Sequence, residues 1–411
     1  MRFLILTQYF PPEVGAPQVR LAAVARELGR LGHEVEVVTA MPNYPTGRVR
    51  PEYRRSFYRK GVWEGHTVHR VWLWPSVGTG VSRLVNYLSF ALTSGIAMAR
   101  ARRPDCLFVE SPPLFLGVTA ALASRAWRVP FVFNVADLWP DSVRELGIVS
   151  NPGLLRLAEW LERWIYARAA FVNAVTEGIR TALIENKGVD PARVLLLPNG
   201  VDTELFRPRI SDDSLANELG VRGKKVLLYA GTVGVAQGLD TAVAAMGIVA
   251  REEPGVVLML VGDGSDKPRL VQEVERRGLR NVLFLDSRSP EQIARLYSLA
   301  YAGFASLKGV NLFDGARPSK VLPAMASGKP VIYSGAGEGA REIIQNGCGL
   351  VVPPDDSTAL AIAICTLARD PVLAEQLGQK ARAYAHRQCG WQRIVEDWAA
   401  QVERRVRSRG G

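Results

Sequence analysis

Short apolar runs alternate with amphipathic segments along nearly the whole chain, and this alternation strongly limits the possible folds. In the first half, residues 3–7 and 34–39 have the pattern of strands, and the helical pattern 19–31 between them ends at Gly32. Further apolar runs follow at 106–110, 130–135, 171–175 and 194–197. Alternation of strands and helices predicts an α/β fold with a parallel, doubly wound sheet.

The pattern stops at residues 198–208 and then starts again. This segment contains Asn199-Gly200 and two prolines, which favour a turn and a linker. Strand-like runs return at 226–230, 256–261, 282–285, 301–305, 330–333 and 350–352. A chain of 411 residues is too long for one ordinary core, so we predict two doubly wound domains of about 200 residues each.

Composition indicates a soluble globular protein, with 48% hydrophobic and 22% charged residues. The four cysteines are widely spaced and form no CxxC pair, which argues against a disulfide framework or a zinc site and suits a reducing cytoplasm. The apolar start is interrupted by Gln8 and Pro11-Pro12, so we interpret it as a strand and not as a signal peptide. The uncharged segment 84–99 is too short and too polar to span a bilayer.

Positive charge is concentrated in the first half of the chain. The formal net charge is +11, and residues 1–200 hold 24 Lys and Arg against 16 Asp and Glu. Segment 48–60 is the most basic stretch, and Trp63, Trp72 and Trp74 follow it. Such a surface suits an anionic membrane or a pyrophosphate-bearing lipid. Nucleic acid and a merely solvated loop are the competing interpretations.

Residues 311–342 form the main candidate site. Pro318 suits the first turn of a helix that Ser319 could cap, and Lys320 adds a positive charge there. After the next strand, three glycines precede a helix predicted to begin near Arg341; they are Gly335, Gly337 and Gly339. Backbone N–H groups at such helix starts bind phosphate. A packed βαβ unit with glycine turns is the alternative.

Loops at other predicted strand ends carry further candidates. Gly15 precedes a helix in the first loop, where its backbone could approach a phosphate, although the GxGxxG spacing of dinucleotide sites is missing. Asp137 and Asp141 could orient or deprotonate a sugar hydroxyl, and Trp139 offers a flat apolar face to a sugar ring. Helix or turn capping is the alternative role of Asp137.

Weaker candidates occupy two more strand ends. Glu110 follows a strand of the first half, and Asp286 with Ser287 follows a strand of the second half, where they could hold a base. No Asp-x-Asp pair follows an apolar strand, so we expect no divalent metal.

These motifs, in this order, resemble the family 4 glycosyltransferases of the GT-B fold. The resemblance runs nearly end to end and rests on the following segments: Gly32-His-Glu-Val-Glu-Val-Val-Thr39, Asp137-Leu-Trp-Pro140, Leu197-Pro-Asn-Gly-Val-Asp202, Phe206-Arg-Pro208, Tyr229-Ala-Gly231, Gln237-Gly-Leu-Asp240, Val261-Gly-Asp-Gly264, Pro318-Ser-Lys320 and Ala326-Ser-Gly-Lys-Pro-Val331. The Pro-Ser-Lys, Gly-Glu-Gly-Ala-Arg and Asp-Leu-Trp-Pro variants resemble the bacterial N-acetyl-L-fucosamine transferases of O-antigen and capsule synthesis.

The resemblance implies a retaining transfer of an N-acetylated aminosugar or a deoxysugar from a nucleoside diphosphate, UDP in our expectation. The acceptor would be a polyprenyl-diphosphate-linked saccharide at the inner face of the cytoplasmic membrane, in O-antigen, capsule or exopolysaccharide synthesis. No cofactor or metal is expected. Residues 1–205, joined by a C-terminal crossover helix at 388–411, would bind the acceptor. Residues 206–387 would bind the donor across a cleft.

Within this framework each candidate residue receives an expected role. The catalytic residues would be Asp137, Lys320 and Glu338. Donor contacts would come from Gly15, Gly231, Asp286, Ser287, Arg317, Ser319, Lys320, Gly337, Glu338, Gly339 and Arg341. Acceptor contacts would come from Glu110, Asp137, Trp139 and Asp141.

The chain departs from the family pattern at two places. Gly315 and Pro323 occupy the positions of the usual pair of glutamates, and Thr232 and Gln237 occupy those of the usual basic pair. Glu338 would then take a ribose or sugar hydroxyl, and Lys320 with Arg317 or Arg341 would replace the lost cations. Two alternatives remain, a non-transferring enzyme such as a sugar-nucleotide epimerase and a non-catalytic sugar-nucleotide-binding protein.

Overall fold

The computed structural model describes residues 1–13, 15–44, 46–76, 80–141, 144, 151–310 and 313–410. The chain divides into two compact units, of which unit 1 comprises Met1–Asn199 with Trp391–Gly411 and unit 2 comprises Gly200–Gly390. Each unit contains one sheet, as the alternation predicted. Among the described residues, no single helix is both long and apolar enough to cross a membrane.

Unit 1 is built on an eight-stranded sheet of order β3-β4-β2-β1-β5-β6-β7-β8, in which only β3 is antiparallel to its neighbour. Its strands are β1 (Arg2–Leu6), β2 (Glu34–Ala40), β3 (Tyr58–Trp63), β4 (His66–Val71), β5 (Cys106–Ser111), β6 (Phe131–Val135), β7 (Phe171–Ala174) and β8 (Val194–Leu196). Its fully described helices before the linker are α1 (Ala16–Arg30), α2 (Val81–Met98), α3 (Leu116–Trp127), α4 (Pro152–Arg168) and α5 (Glu177–Glu185).

Both faces of this sheet are covered. Leu4 and Leu6 of β1 join one apolar cluster, and Phe3 and Ile5 join another, because successive side chains of a strand point to opposite faces. The C-terminal helix, Trp391–Gly410, packs its apolar face into the second cluster, with Trp398 entirely buried. The tail therefore forms a helix with one buried apolar face.

Unit 2 is built on a six-stranded parallel sheet of order β11-β10-β9-β12-β13-β14. Its strands are β9 (Lys225–Ala230), β10 (Val256–Val261), β11 (Val282–Leu285), β12 (Ala300–Ser306), β13 (Val331–Ser334) and β14 (Gly349–Val352). Its helices are α6 (Asp213–Glu218), α7 (Leu239–Glu252), α8 (Lys267–Arg276), α9 (Pro290–Leu299), α10 (Val321–Ala326), α11 (Gly337–Gln345), α12 (Ser357–Arg369) and α13 (Pro371–Tyr384), and the C-terminal helix of unit 1 completes the series as α14.

The loops that follow the strands of a parallel sheet meet at one edge, which is where ligands bind in open α/β sheets. In unit 2 the neighbours β9, β12 and β13 end at Ala230, Ser306 and Ser334. The connection from β12 to β13 contains α10, and the connection from β13 to β14 contains α11. The main candidate site therefore lies at this carboxyl edge.

Candidate functional site

Lys320 lies at the carboxyl edge of the unit 2 sheet, directly before α10. Its methylene groups lie against Gly231, where any Cβ would collide with them, and its Nζ is 5.9 Å from the centroid of the Tyr229 ring. Burial lowers the pKa of Lys320 to about 8, and no charged group in the described part of the chain contributes to this shift. A partly desolvated cation without an acidic neighbour can attract an anionic ligand.

The prediction that Ser319 caps the following helix is wrong. The helix begins one residue later than a Ser319 cap requires, its N-cap residue is Lys320, and no side chain caps it. Instead the carbonyl oxygens of Pro318 and Ser319 accept from Val321 and Leu322, each at 3.2 Å, which makes a tight 3₁₀-like entry. The hydroxyl of Ser319 is therefore not used by the helix.

The glycine-rich segment is part of a helix, because α11 begins at Gly337 and not near Arg341 as predicted. The Glu338 amide donates to the Asp314 carbonyl at 2.7 Å, and the Gly339 amide donates to the Ala316 carbonyl at 3.3 Å. These bonds stabilise an earlier helix start than the glycines suggested. Two of the amides expected to face a phosphate thus hold the loop at 314–316.

Arg317 lies three residues before Lys320, but its surroundings are different. Its guanidinium is buried and paired with the Glu342 carboxylate, which also accepts from the Tyr384 hydroxyl at 2.6 Å. Burial acts against the Arg317 charge, but Glu342 outweighs it, so the pKa of Arg317 is raised. The Arg317 charge is already neutralised inside unit 2, whereas Arg341 is exposed.

A cavity of about 200 Å³ opens beside this region, after the ends of β12 and β13. Among the described residues, its polar side chains are Lys308, Asp314 and Tyr333, none of which was singled out from the sequence. Its other lining residues are Leu307, Gly309, Val310, Phe313 and Ala336. Little in the sequence pointed to this cavity, because Tyr333 fits the apolar pattern of β13 and its hydroxyl adds nothing to that pattern.

The Asp137 loop follows β6 in unit 1. Asp137 is exposed, and Trp139 packs edge-on against Phe115 with 6.3 Å between ring centroids. The Asp141 carboxylate lies 2.7 Å from Lys187 Nζ, which also contacts Glu162. Asp141 therefore belongs to a local ion-pair network, while Asp137 is accessible.

Glu110 is only 1% exposed and belongs to a buried polar network that crosses the unit 1 sheet. One carboxylate oxygen is paired with Arg20 and the other accepts from Asn134 at 2.7 Å. Asn134 in turn accepts from Asn173 at 2.5 Å, and the Trp398 indole donates to Asn173 at 3.0 Å. Both oxygens of Glu110 are thus occupied within the protein.

The remaining candidates lie at loop positions in their own units. Gly15 is the N-cap of α1 in an extended conformation, with the Gln18 side chain lying against it. Asp286 is strongly exposed and pairs with Lys267 at 2.8 Å, and Ser287 is exposed. In the part of the chain that the structure describes, no group of three or more His, Cys, Asp or Glu side chains could hold a metal ion.

Two family descriptions match this chain, one in each unit. Residues 15–200 match the glycosyl transferase 4-like domain, and residues 224–370 match the glycosyl transferases group 1. Together they span most of both sheets.

Curated relatives match over nearly the full length. The putative colanic acid biosynthesis glycosyl transferase WcaI of Escherichia coli (strain K12) is 28% identical over 401 residues, which cover 94% of this chain and 96% of the relative. The D-inositol 3-phosphate glycosyltransferase of Stackebrandtia nassauensis is 26% identical over 94% of this chain and 86% of its own.

Solved structures share the fold. Anabaena Alr3699/HepE, crystallised in complex with UDP and glucose, has a TM-score of 0.73 at 23% identity, covering 98% of this chain and 99% of its own. WaaG, a glycosyltransferase involved in lipopolysaccharide biosynthesis, has a TM-score of 0.70 at 17% identity, covering 98% and 99%. At these identities the likeness concerns the fold.

Proposed function

Because this chain belongs to the family 4 glycosyltransferases of the GT-B fold, we propose that it transfers a sugar from UDP to a lipid-linked saccharide in polysaccharide synthesis, with retention of configuration. The transferred sugar is an N-acetylated aminosugar or a deoxysugar. The name of the E. coli relative supports a role in polysaccharide synthesis, and the UDP bound to HepE supports a uridine nucleotide.

Lys320 carries this proposal. Transfer of the sugar leaves negative charge on the departing diphosphate, and a cation preplaced in a partly desolvated site stabilises that charge. Lys320 provides such a cation, because it lies at the carboxyl edge of the sheet and no carboxylate compensates it among the described residues. In this mechanism the lysine replaces a divalent metal.

Two carboxylates have proposed roles at the reacting sugar. Asp137 is exposed after β6, where it can orient the acceptor hydroxyl and accept its proton. Glu338 lies in the first turn of α11 and binds a hydroxyl of the ribose or of the transferred sugar. Trp139 provides an apolar ring face to the acceptor.

The test is a calorimetric titration with UDP, GDP, ADP and CMP, with and without magnesium. Wild-type protein should bind UDP equally well without the metal, and Lys320→Met should weaken UDP binding roughly 100-fold through the lost charge-assisted contact. Lys329→Met is the matched control, since Lys329 is another partly buried lysine of unit 2 whose pKa is lowered by burial, and it lies just before the start of β13 and not at its end.

Each other outcome has a distinct meaning. Tighter binding of another nucleotide would overturn the donor assignment, and equal losses in both lysine variants would remove Lys320 from the site. Conversion of the donor sugar without an acceptor would favour an epimerase-like enzyme, whereas binding without any turnover would favour a non-catalytic binding protein.

We propose in addition that unit 1 docks on an anionic membrane surface. Six apolar side chains of α2 are exposed, namely Val81, Leu84, Val85, Leu88, Leu92 and Ile96. Arg54, Arg55 and Lys60 are exposed in the basic segment. Trp74 is 53% exposed, whereas Trp63 is only partly exposed and packs against Phe10 with 5.0 Å between ring centroids.

Flotation with liposomes tests the docking surface. Changing Arg54, Arg55 and Lys60 to Gln should reduce flotation with anionic liposomes, since each cation near such a surface contributes roughly 1 kcal/mol. The matched control changes three exposed cations of unit 2, Arg222, Lys224 and Arg251, to Gln. Equal flotation of all three proteins would remove the membrane assignment.

A further inference from the structure

A larger cavity lies in unit 1, at the edge of the sheet where strands β2 and β4 begin. Its volume is about 630 Å³, and its walls come from the end of α1, the starts of β2 and β4, the β3–β4 turn and the segment after α2. This volume is within the range of roughly 300–1,000 Å³ that is typical of small-molecule sites. None of the candidate residues from the sequence is among its described lining residues, so the cavity belongs to no site described above.

The described lining of this cavity carries more positive than negative charge. It contains five Lys and Arg residues against three glutamates, namely Arg26, Arg30, Lys60, Arg100 and Arg102 against Glu34, Glu36 and Glu64. His33 and His66 also line it, and burial lowers the pKa of both histidines, so they are mostly uncharged near pH 7. The cavity therefore favours an anionic ligand.

Most of these charges already have a partner within unit 1. The ion pairs are Arg26 with Glu64 at 2.7 Å, Arg30 with Glu27 at 3.1 Å, and Arg102 with Glu34 at 3.8 Å and with Glu36 at 3.9 Å. Lys60 and Arg100 are different, because both are exposed and neither forms an ion pair with another described residue. The excess positive charge of the cavity therefore lies largely on these two side chains.

The guanidinium of Arg100 is held in a defined position. Its central carbon lies 4.8 Å from the centroid of the Tyr58 ring, and one N–H group donates to the carbonyl oxygen of Ile96 at 3.2 Å. Tyr58 is itself fixed, since its hydroxyl lies 2.8 Å from His69 Nδ1, and His69 Nε2 lies 3.1 Å from the Glu36 carboxylate. The other N–H groups of Arg100 donate to no described residue and can bind the oxygens of an anion.

Lys60 lies beside this arginine. It belongs to β3, two residues after Tyr58, and it is opposite His69 of β4 in the antiparallel register. Residues two apart in a strand, and residues opposite each other in an antiparallel pair, lie on the same face of a sheet. Lys60 is therefore on the face of Tyr58, where Arg100 also lies, and both unpaired cations line the cavity.

We propose that this cavity binds a phosphate group, held by Arg100 and Lys60. The planar guanidinium donates two parallel hydrogen bonds to a phosphate, and the ammonium group adds a point charge beside it. The proposal goes beyond the proposed function, because it concerns neither the donor nor the strand ends at which transfer is proposed.

Two carriers of phosphate fit this position. Exposed apolar side chains of α2 recur every four residues at Leu84, Leu88, Leu92 and Ile96, and Arg100 follows at the same spacing just after the helix. An anionic lipid headgroup can therefore enter the cavity at the end of this apolar row. A free phosphorylated molecule can enter it from solution.

The test measures binding of both carriers to a Lys320→Met parent protein, so that the cation of unit 2 does not contribute. Glucose 1-phosphate is titrated by calorimetry, with glucose as the uncharged control. Flotation is measured with phosphatidylcholine liposomes with and without phosphatidic acid. Adding Lys60→Gln and Arg100→Gln to the parent should weaken binding of the phosphate carrier roughly tenfold or more, because two charged contacts are lost.

Two further double variants make this loss specific. Arg125→Gln with Arg156→Gln removes the same charge from exposed positions of α3 and α4 outside the cavity lining, and it should keep the binding of the parent. Lys60→Arg with Arg100→Lys keeps both charges in the cavity and should retain most of the binding.

The two arms distinguish the carriers. Binding of glucose 1-phosphate that depends on Lys60 and Arg100 would identify a free phosphorylated molecule, and such binding to the liposomes alone would identify a lipid headgroup. Equal losses in the two Gln double variants, or no binding by the parent in either arm, would overturn the proposal.

Discussion

The carboxylate and amide groups around Glu110 in unit 1 and the Lys320 and Tyr333 side chains in unit 2 differ in whether the protein itself satisfies them. In unit 1 the carboxylate of Glu110 and the amides of Asn134 and Asn173 are bonded to one another, to Arg20 and to Trp398. In unit 2 the ammonium of Lys320 has no acidic neighbour among the described residues, and the hydroxyl of Tyr333 has no partner there.

This difference separates two uses of buried polarity. A satisfied network fixes strands and helices relative to one another, whereas an unsatisfied group retains binding capacity for a ligand. The distinction holds within unit 2 as well, because Arg317 is paired and Lys320, three residues later, is not. Residue type and position alone would have assigned all of these groups to the site.

The largest effect is expected when one member of the satisfied network is removed. Arg20→Met leaves the Glu110 carboxylate buried without its cation, and breaking a buried pair in this way costs about 3–5 kcal/mol. Urea unfolding should show this loss, and the double variant with Glu110→Gln should recover part of it. If the Arg20→Met variant kept wild-type stability but lost sugar transfer, Glu110 would instead belong to the acceptor site.

A slightly smaller effect is expected for the paired cation of unit 2. Arg317→Met should lower the free energy of unfolding by about 3 kcal/mol, because Glu342 loses its cation but keeps the hydrogen bond from Tyr384. Lys320→Met should cost no stability, since it removes a desolvated charge that has no partner. Equal losses in the two variants would show that Lys320 has a structural role.

Most of the fold could be predicted because strand and helix periodicity are local properties. Both sheets and the C-terminal helix follow from this pattern. The β3–β4 hairpin was missed, since β3 is a largely exposed edge strand without an apolar face and its basic residues suggested a loop. A strand shows an apolar pattern in the sequence only where the strand is buried, and β3 is not.

The site could be predicted only as a set of strand ends. Whether a group is satisfied depends on contacts between distant residues, such as Arg20 with Glu110 and Arg317 with Glu342, and no local pattern reveals these pairs. The start of α11 was misplaced for the same reason, because its first amides bond to the loop at 314–316.

The smallest effect is a pH dependence that arises from Lys320, a group of unit 2 that the protein itself does not pair. The pKa of Lys320 is about 8, so its charged fraction, and with it UDP affinity, should fall roughly tenfold between pH 7 and pH 9.

The stability of the free protein should change in the opposite direction. Because burial places this pKa below its ordinary value of 10.5, the unfolded chain binds more protons between about pH 8 and 10.5, and the free protein gains stability as pH rises through that window. Titrations with UDP and thermal melts over this range measure both trends, and Lys320→Met should show neither. If UDP affinity stayed constant up to pH 9 in the wild type, binding of the diphosphate would not depend on the Lys320 charge. The contrast between the two units would then rest on Tyr333 alone.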